Sequence, residues 1–501
     1  MKKIIPILLA LCVVVAIVVV VVVSQNNQFS TLDDEEYSKE KTTEEQITTE
    51  ESSLEITTAG DTTAEVTTVE ETTAEETTTE ETTVEETTAE ETTIEETTAE
   101  ETTVEETTVA EPKGDSIGLE YELNQDGNGY SVCGIGSCTD LDIVIPSEYN
   151  GLPVVFVYWP AFTNCSSVTS IVIPDSITYI EPAAFKGCSS LETLIVDANN
   201  PNYYSEGNCI IAKSTGTLVV GCKTSIIPNG VTSIGGGAFH GCSSLASITI
   251  PDSVTSIGGS AFLGCSSLTS TTIPDSVTSI GNGAFEDCSS LTSVTIPDGL
   301  TSIGAVTFSG CSSLTSITIP DSVTRIGASA FRGCSSLETL IVDANNPNYY
   351  SEGNCIIEKS TKTLILGCKN SIIPDDVTSI VSSAFYGCIT LTSITIPDSV
   401  TSIGSGAFRG CSALTSITIP DSVTSIDSYT LFYGCSSLTS ITIPNSVISI
   451  DDYAFGGCSS LTSIIFNGTI EQWNNISLSD NWNSNTGDYT IYCTDGEITK
   501  N

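Results

Sequence analysis

CSSLTSVTIPDGLTSIGAVTFSG, residues 288–310, decides the fold. Apolar residues fall at Leu291, Val294, Ile296, Leu300, Ile303 and Phe308. The spacing L-x-x-V-x-I is that of a leucine-rich-repeat strand. Successive side chains of a strand alternate, so Val294 and Ile296 are expected to point inward and Ser293 and Thr295 outward. Pro297 ends the strand because it has no N–H to give to a ladder, and Pro297-Asp298-Gly299 turns the chain. Leu300, Ile303 and Phe308 then supply the apolar side chains of the opposite wall.

The same text recurs on both sides. Cysteines mark it at 165, 188, 242, 265, 288, 311, 334, 388, 411, 435 and 458, in steps of 23 residues with one of 24 and two of 54. One 23-residue coil cannot bury its own apolar face, whereas stacked coils share a continuous core. The expected fold is therefore a repeat solenoid of the leucine-rich-repeat type with a parallel β-sheet, over residues 113–466. A parallel β-helix is the competing architecture. The two long steps hold islands, near 197–225 and 343–371. The 24 residues Cys188 to Ile211 and Cys334 to Ile357 are identical and offset by 146, which marks a duplicated block. Each island carries NNPNYYSEGN followed by hairpin signals: Cys209 to Ala212 and Val219 to Cys222 flank a turn at Thr215-Gly216. In that register Cys209 faces Cys222, and Cys355 faces Cys368.

The chain before the array is of another kind. Residues 25–112 form a stalk, almost only Thr and Glu from Thr42 to Thr108, with a five-residue unit such as Glu80 to Val84. Thr is a poor helix former and a five-residue period fits no helical face. With so little apolar surface the stalk is expected to be disordered and, through like-charge repulsion, extended. Its Thr hydroxyls also suit glycosylation. Of the net charge of −48, Asp33 to Glu111 contributes −27, from 29 acidic and 2 basic residues. Such a balance disfavours nucleic-acid partners and anionic lipid. Residues 1–24 read as an export signal or signal anchor. Lys2 and Lys3 precede an apolar run of 20 residues, Ile4 to Val23, about the length that crosses a bilayer. Leu11 argues against lipidation of Cys12. The expected location is extracellular or on the cell surface, with membrane contact only through this segment.

The unit IPDSVTSIGxxAFxGCSSLTSI, seen at Ile250 to Ser270 and Ile319 to Leu340, resembles the BspA-like, treponemal-type leucine-rich repeats. The resemblance covers about Ser131 to Phe466. Thr271 departs from the Ile of the pattern, and one residue is inserted before Leu431-Phe432. The NPNYYSEGN segments look like the hairpin islands of that family. Asn467 to Thr494 resembles its terminal segment, so residues 467–501 are expected to form a cap and tail. The resemblance implies a bacterial or protist surface protein of the kind linked to adhesion and to binding host or neighbouring-cell proteins. It brings no catalytic residues.

The chemistry-bearing residues fit that picture. The repeat cysteines recur at one structural position, as a column of small buried hydrophobes would. They lack the close pairs a metal site needs, so no metal and no cofactor is expected. A cross-strand disulfide remains open for Cys209 with Cys222 and for Cys355 with Cys368, and Cys133 with Cys138 is a weaker pair. Asp175, Asp252, Asp275, Asp298, Asp321, Asp398 and Asp421 each follow the strand-ending Pro, where a side chain caps its turn; a calcium-bridged column is the alternative. His240 is the chain's one histidine. It sits as a loop residue in the slot after Phe239, so no catalytic set is expected. That slot varies: Leu263, Glu286, Ser309, Arg332, Tyr386, Arg409 and Tyr433 occupy it in other turns. The strand face, by contrast, repeats Ser and Thr. Candidate binding residues are therefore Arg332, Tyr386, Arg409 and Tyr433 in the slot, Tyr203, Tyr204, Tyr349 and Tyr350 in the islands, and Trp473 and Trp482 in the tail. The function expected is that of a surface-displayed, non-catalytic interaction or adhesion protein with an extracellular protein partner. A carbohydrate-binding module and a purely structural envelope protein are the alternatives.

Overall fold

Each 23-residue unit forms one turn of a parallel solenoid with three walls. A computed structural model describes residues 114–426 and 430–499. The export segment and stalk lie outside the described residues, as does 427–429, where the sequence carries its one-residue insertion.

The first wall is a ladder of strands such as Ser316–Ile319 with Thr339–Val342, in register Ile317 to Leu340 and Ile319 to Val342. The alternation read from the sequence is present: Ile296 is buried, Val294 half-buried, and Ser293 and Thr295 exposed. The second wall is a ladder of two-residue strands, Ser233–Ile234 on Ser256–Ile257 on Ser279–Ile280, with each Ile turned inward. On the third wall, backbone bonds step from turn to turn, as from Phe239 N–H to Ala261 O (2.7 Å) and Phe262 N–H to Ala284 O (2.8 Å).

Inside the third wall the phenylalanines stack. Phe239, Phe262, Phe285, Phe308 and Phe331 form one column, with centroids 5.0–5.6 Å apart and planes within 11°. Phe385, Phe408, Phe432 and Phe455 form another. Each stacked pair adds about 0.5–1.5 kcal/mol to the burial of the rings. Beside the rings runs the cysteine column, and it is more than hydrophobic filler. Within a run of plain turns the thiol donates to the Phe carbonyl of the turn before: Cys265 to Phe239 O, Cys288 to Phe262 O and Cys311 to Phe285 O, at 3.2–3.3 Å, while Cys242, after the first island, reaches Gly221 O at 3.8 Å. Burial pushes the thiols up, to about 12 for Cys288 and Cys458, which keeps the donated proton in place. Hydroxyls do the same on the other walls. Thr292 Oγ1 donates to Thr269 O and Thr324 Oγ1 to Thr301 O. Ser322 Oγ donates to Leu300 O.

The islands interrupt the second wall. Each is a three-stranded antiparallel meander, Tyr203–Glu206, Cys209–Ala212 and Thr217–Val220 in the first, whose last strand rejoins the parallel ladder at Ser233–Ile234. The second repeats this with Tyr349–Glu352, Cys355–Glu358 and Thr363–Leu366. The hairpin expected from the sequence is there, but its register is not. A bulge sets Ile211 against Leu218 and Ile210 against Val220. Continued, that register sets Gly221 against Cys209 and Cys222 against Asn208, one residue off the expected pairing, and the Cys222 thiol lies 3.6 Å from Asn208 O. Cys355 and Cys368 are offset by one residue likewise: Ile356 stands against Leu366, which sets Gly367 against Cys355. All four are free thiols, as are Cys133 and Cys138. Cys209 packs in one core cluster and Cys222 in the next, so the expected pairing is corrected: the two side chains serve different cores.

The asparagines of NNPNYY hold each island down. Asn346 is fully buried. Its amide donates to Pro320 O (2.7 Å) and Val323 O (2.8 Å), and its oxygen accepts from Asn348 N–H (2.9 Å) and Tyr349 N–H (2.8 Å). Asn348 donates to Thr324 O. Asn346 and Asn348 thus take, one turn on, carbonyls of the same kind that Ser322 and Thr324 take in the turn before. Asn200 and Asn202 repeat the arrangement. Replacing Asn346 by Ala strands two buried carbonyls and two N–H groups. It should lower stability by about 2–4 kcal/mol, read as a fall in the urea midpoint. The thiol column predicts a second result. In native protein at pH 8 the repeat cysteines should react with a thiol reagent at least tenfold more slowly than in urea-unfolded protein; equal rates would mean the column is open to solvent.

Candidate interaction surface

The variable residue after each Phe lies on the outer edge of the third wall, where the backbone fixes its spacing. The N–H two residues beyond each Phe reaches the carbonyl of the slot residue in the next turn: Gly310 to Arg332, Gly387 to Arg409 and Gly410 to Tyr433, at 2.7–2.8 Å. The chain turns left-handed here, with φ near +70° at Gly310, Gly387 and Gly410, which is why glycine recurs. Asp287 takes the position once, at φ +57°, within the tolerance of Asp for that region.

Slot side chains therefore stand in a single row. Arg332 lies over the Tyr386 ring, 4.2 Å from its centroid. Arg409 lies 5.8 Å from the same ring and 4.9 Å from Tyr433. Tyr433 continues to Tyr453, edge to face at 6.4 Å. All five side chains are half-buried. Arg332 and Tyr386 are 54 residues apart in sequence, yet the turns that carry them touch, through Gly333 N–H to Tyr386 O. The island leaves the solenoid on the second wall and does not enter the row. The chain has only three arginines, and two of them are here. Each cation–π contact is worth about 0.5–1 kcal/mol at an exposed site, so the row presents alternating guanidinium and phenol planes in a settled geometry.

The island tyrosines do not form such a surface. Tyr203 and Tyr349 are buried, and each phenol oxygen accepts a backbone N–H, from Ile180 and Ile326 respectively. As binding residues both are corrected: they fasten the island to the preceding turn. Tyr204 and Tyr350 are half-buried. Lys362 Nζ lies 4.7 Å over the Tyr350 ring, donates to its hydroxyl and pairs with Asp376 at 3.0 Å. Trp473 and Trp482 are corrected in the same way. Both are buried in the terminal cap, where the helix Ile470–Asn474 begins with a capping box of Thr469 and Gln472. Trp482 meets Phe455 edge-on at 5.8 Å and closes the end of the phenylalanine stack. A last turn has no neighbour to cover it, so a cap must. The aspartates after the strand-ending Pro are exposed along their column.

His240, in the slot of its own turn, is half-buried and not the open loop residue the sequence implied. Burial, with the Lys186 charge beside it, lowers its pKa from 6.5 to about 4. A lowered histidine pKa favours the fold above the unfolded value and loses that contribution as pH falls through the folded value. Stability should therefore decline between pH 6.5 and 4 in part through His240, and less so in His240→Gln. With a single histidine the assignment is unambiguous: its imidazole NMR signals should titrate near pH 4, and a midpoint near 6.5 would place the ring in open solvent.

What other proteins share this arrangement follows from comparison. The family model for the BspA-type leucine-rich repeat region matches in six copies, over residues 156–209, 220–338 and 364–485. A leucine-rich cell surface protein from Faecalibacterium prausnitzii is 34% identical, with 74% of this chain and 97% of that one covered and a TM-score of 0.48. The T. pallidum leucine-rich repeat protein is 30% identical over 44% of this chain and 88% of its own, with a TM-score of 0.28. The pneumococcal vaccine antigen PcpA is 19% identical over 76% and 98%, with a TM-score of 0.41. No curated protein matches. Six family repeats laid over the turns that build the walls, the columns and the row assign the chain: it belongs to the BspA-type leucine-rich-repeat family.

Proposed function

We infer that the chain is a surface-displayed, non-catalytic interaction protein that binds other proteins along the slot row. One observation carries the reading. Arg332, Tyr386, Arg409 and Tyr433 stand in line on one edge, half-exposed, on a scaffold whose strand faces repeat Ser and Thr. Tyr and Arg are among the residues most enriched at binding hot spots. Their mutual stacking removes part of the rotamer freedom that binding would otherwise have to remove. Surface display is supported by membership of a family that includes, at 34% identity, a protein described as a cell surface protein. The repeat fold supports action by binding over catalysis.

The test is a panel of extracellular and cell-surface proteins probed with the full chain and with Tyr386→Ala/Tyr433→Ala. Partners bound by the wild type should lose affinity by about tenfold or more in the variant, with the far-UV spectrum unchanged. Equal binding by the two proteins would remove the row from the account. Deleting an island is a poorer test, because its asparagines and Tyr349 hold the turns on either side.

A further inference from the structure

The first turns carry aromatic residues that the rest of the array does not. On the second wall, Phe156 and Tyr179 pair in parallel register, Val157 with Ile180 beside them. The equivalent outward residues of later turns are serines, Ser233, Ser256 and Ser279. Val157 and Ile180 are buried, so the aromatic pair lies on the side away from the core. Tyr158 joins it: its ring is 5.4 Å from Phe156 and 5.8 Å from Tyr179. Trp159 follows at once, and its backbone N–H is held by the Glu181 carboxylate at 3.0 Å. Tyr158, Trp159 and Tyr179 keep 40%, 59% and 44% of their surface in solvent. The other two tryptophans are buried in the cap. The wall does not need these rings, since it is built elsewhere mostly with Ser.

We propose that Tyr158, Trp159 and Tyr179 form a platform for a neutral glycan, stacked on the C–H face of a pyranose ring. Three features favour this occupant. The Tyr158 and Tyr179 rings lie 5.8 Å apart and carry phenol hydroxyls, Trp159 is the next residue along, and the Glu181 carboxylate accepts its backbone N–H, which suits a ligand that is apolar on its faces and hydroxylated at its rim. The net charge of −48 repels anionic sugars, which leaves neutral ones. The open ring surface is roughly 300–400 Å², well short of the ~800 Å² per side that a specific protein interface covers. This platform is separate from the slot row, and neither reading rests on the other.

The test uses the full chain on an array of neutral oligosaccharides, namely chito-, gluco-, manno- and galacto-oligosaccharides, with calorimetry on the strongest hit. The wild type should bind at least one of them. Trp159→Ala should weaken it at least tenfold. Tyr179→Ser, which installs the residue that later turns carry and so preserves the fold, should do the same. Tyr386→Ala should bind the sugar as the wild type does. Because Trp159 is the exposed tryptophan among the described residues, the bound sugar should also shield the protein's fluorescence from iodide quenching. Silence on the array at millimolar sugar, unchanged affinity in both platform variants, or binding of anionic glycans alone would overturn the proposal.

Discussion

A turn of this protein has no interior of its own. Whatever a residue needs to become buried, it must find in the turn before or after. That constraint explains features that would otherwise look like decoration. Cysteine recurs because a thiol is small enough for the core and still has a proton for the Phe carbonyl one turn back. Threonine and serine recur because a short hydroxyl reaches the neighbouring carbonyl without leaving its strand. Phenylalanine recurs because planar rings one turn apart stack with centroids a little over 5 Å apart. The near-identity of the text is the chemical imprint of one contact made many times.

What repeats was legible in the sequence, and what happens once or twice was not. The inward set Leu291, Ile296, Leu300, Ile303 and Phe308 follows from spacing, because each plays one role in every turn. Aromatics outside the periodic pattern look free, and for that reason the island tyrosines read as a surface. Yet Asn346 and Asn348 stand 24 residues after Ser322 and Thr324, about one turn, and that offset was the available sign that the motif replaces those hydrogen bonds. The cysteine pairing fails by one residue of register, which alternation alone does not fix. Trp473 and Trp482 were misplaced because the need to cover a last turn belongs to the whole array and to no unit of it. Tyr179 sits before Ile180 where most later turns have Ser, a departure that the sequence itself carries once the units are aligned.

Of the candidate binding residues, those brought together are the four that share the slot. Their assembly depends on where the second island attaches. Three extra strands enter the second wall between Ile326 and Ser379, while the third wall passes directly from Arg332 to Tyr386. An insertion made on the third wall would have split the row at its strongest contact. The solenoid thus separates two tasks: one wall accepts new elements, and another keeps a continuous edge along which side chains vary without disturbing the ladders.

The islands have a further consequence, for how the chain finds its alignment. Plain turns are so alike that sliding the array by one whole unit still sets Ser on Ser and Ile on Ile, with the rings still stacked. Nothing in such a turn tells the right neighbour from the next one along. At an island the degeneracy ends. A slide of one unit would leave the buried amide of Asn346 without Pro320 O and Val323 O, and Ile326 N–H without the Tyr349 hydroxyl. The two identical insertions act as index marks on an otherwise uniform scale, and they are spaced so that no short slip brings one onto the place of the other.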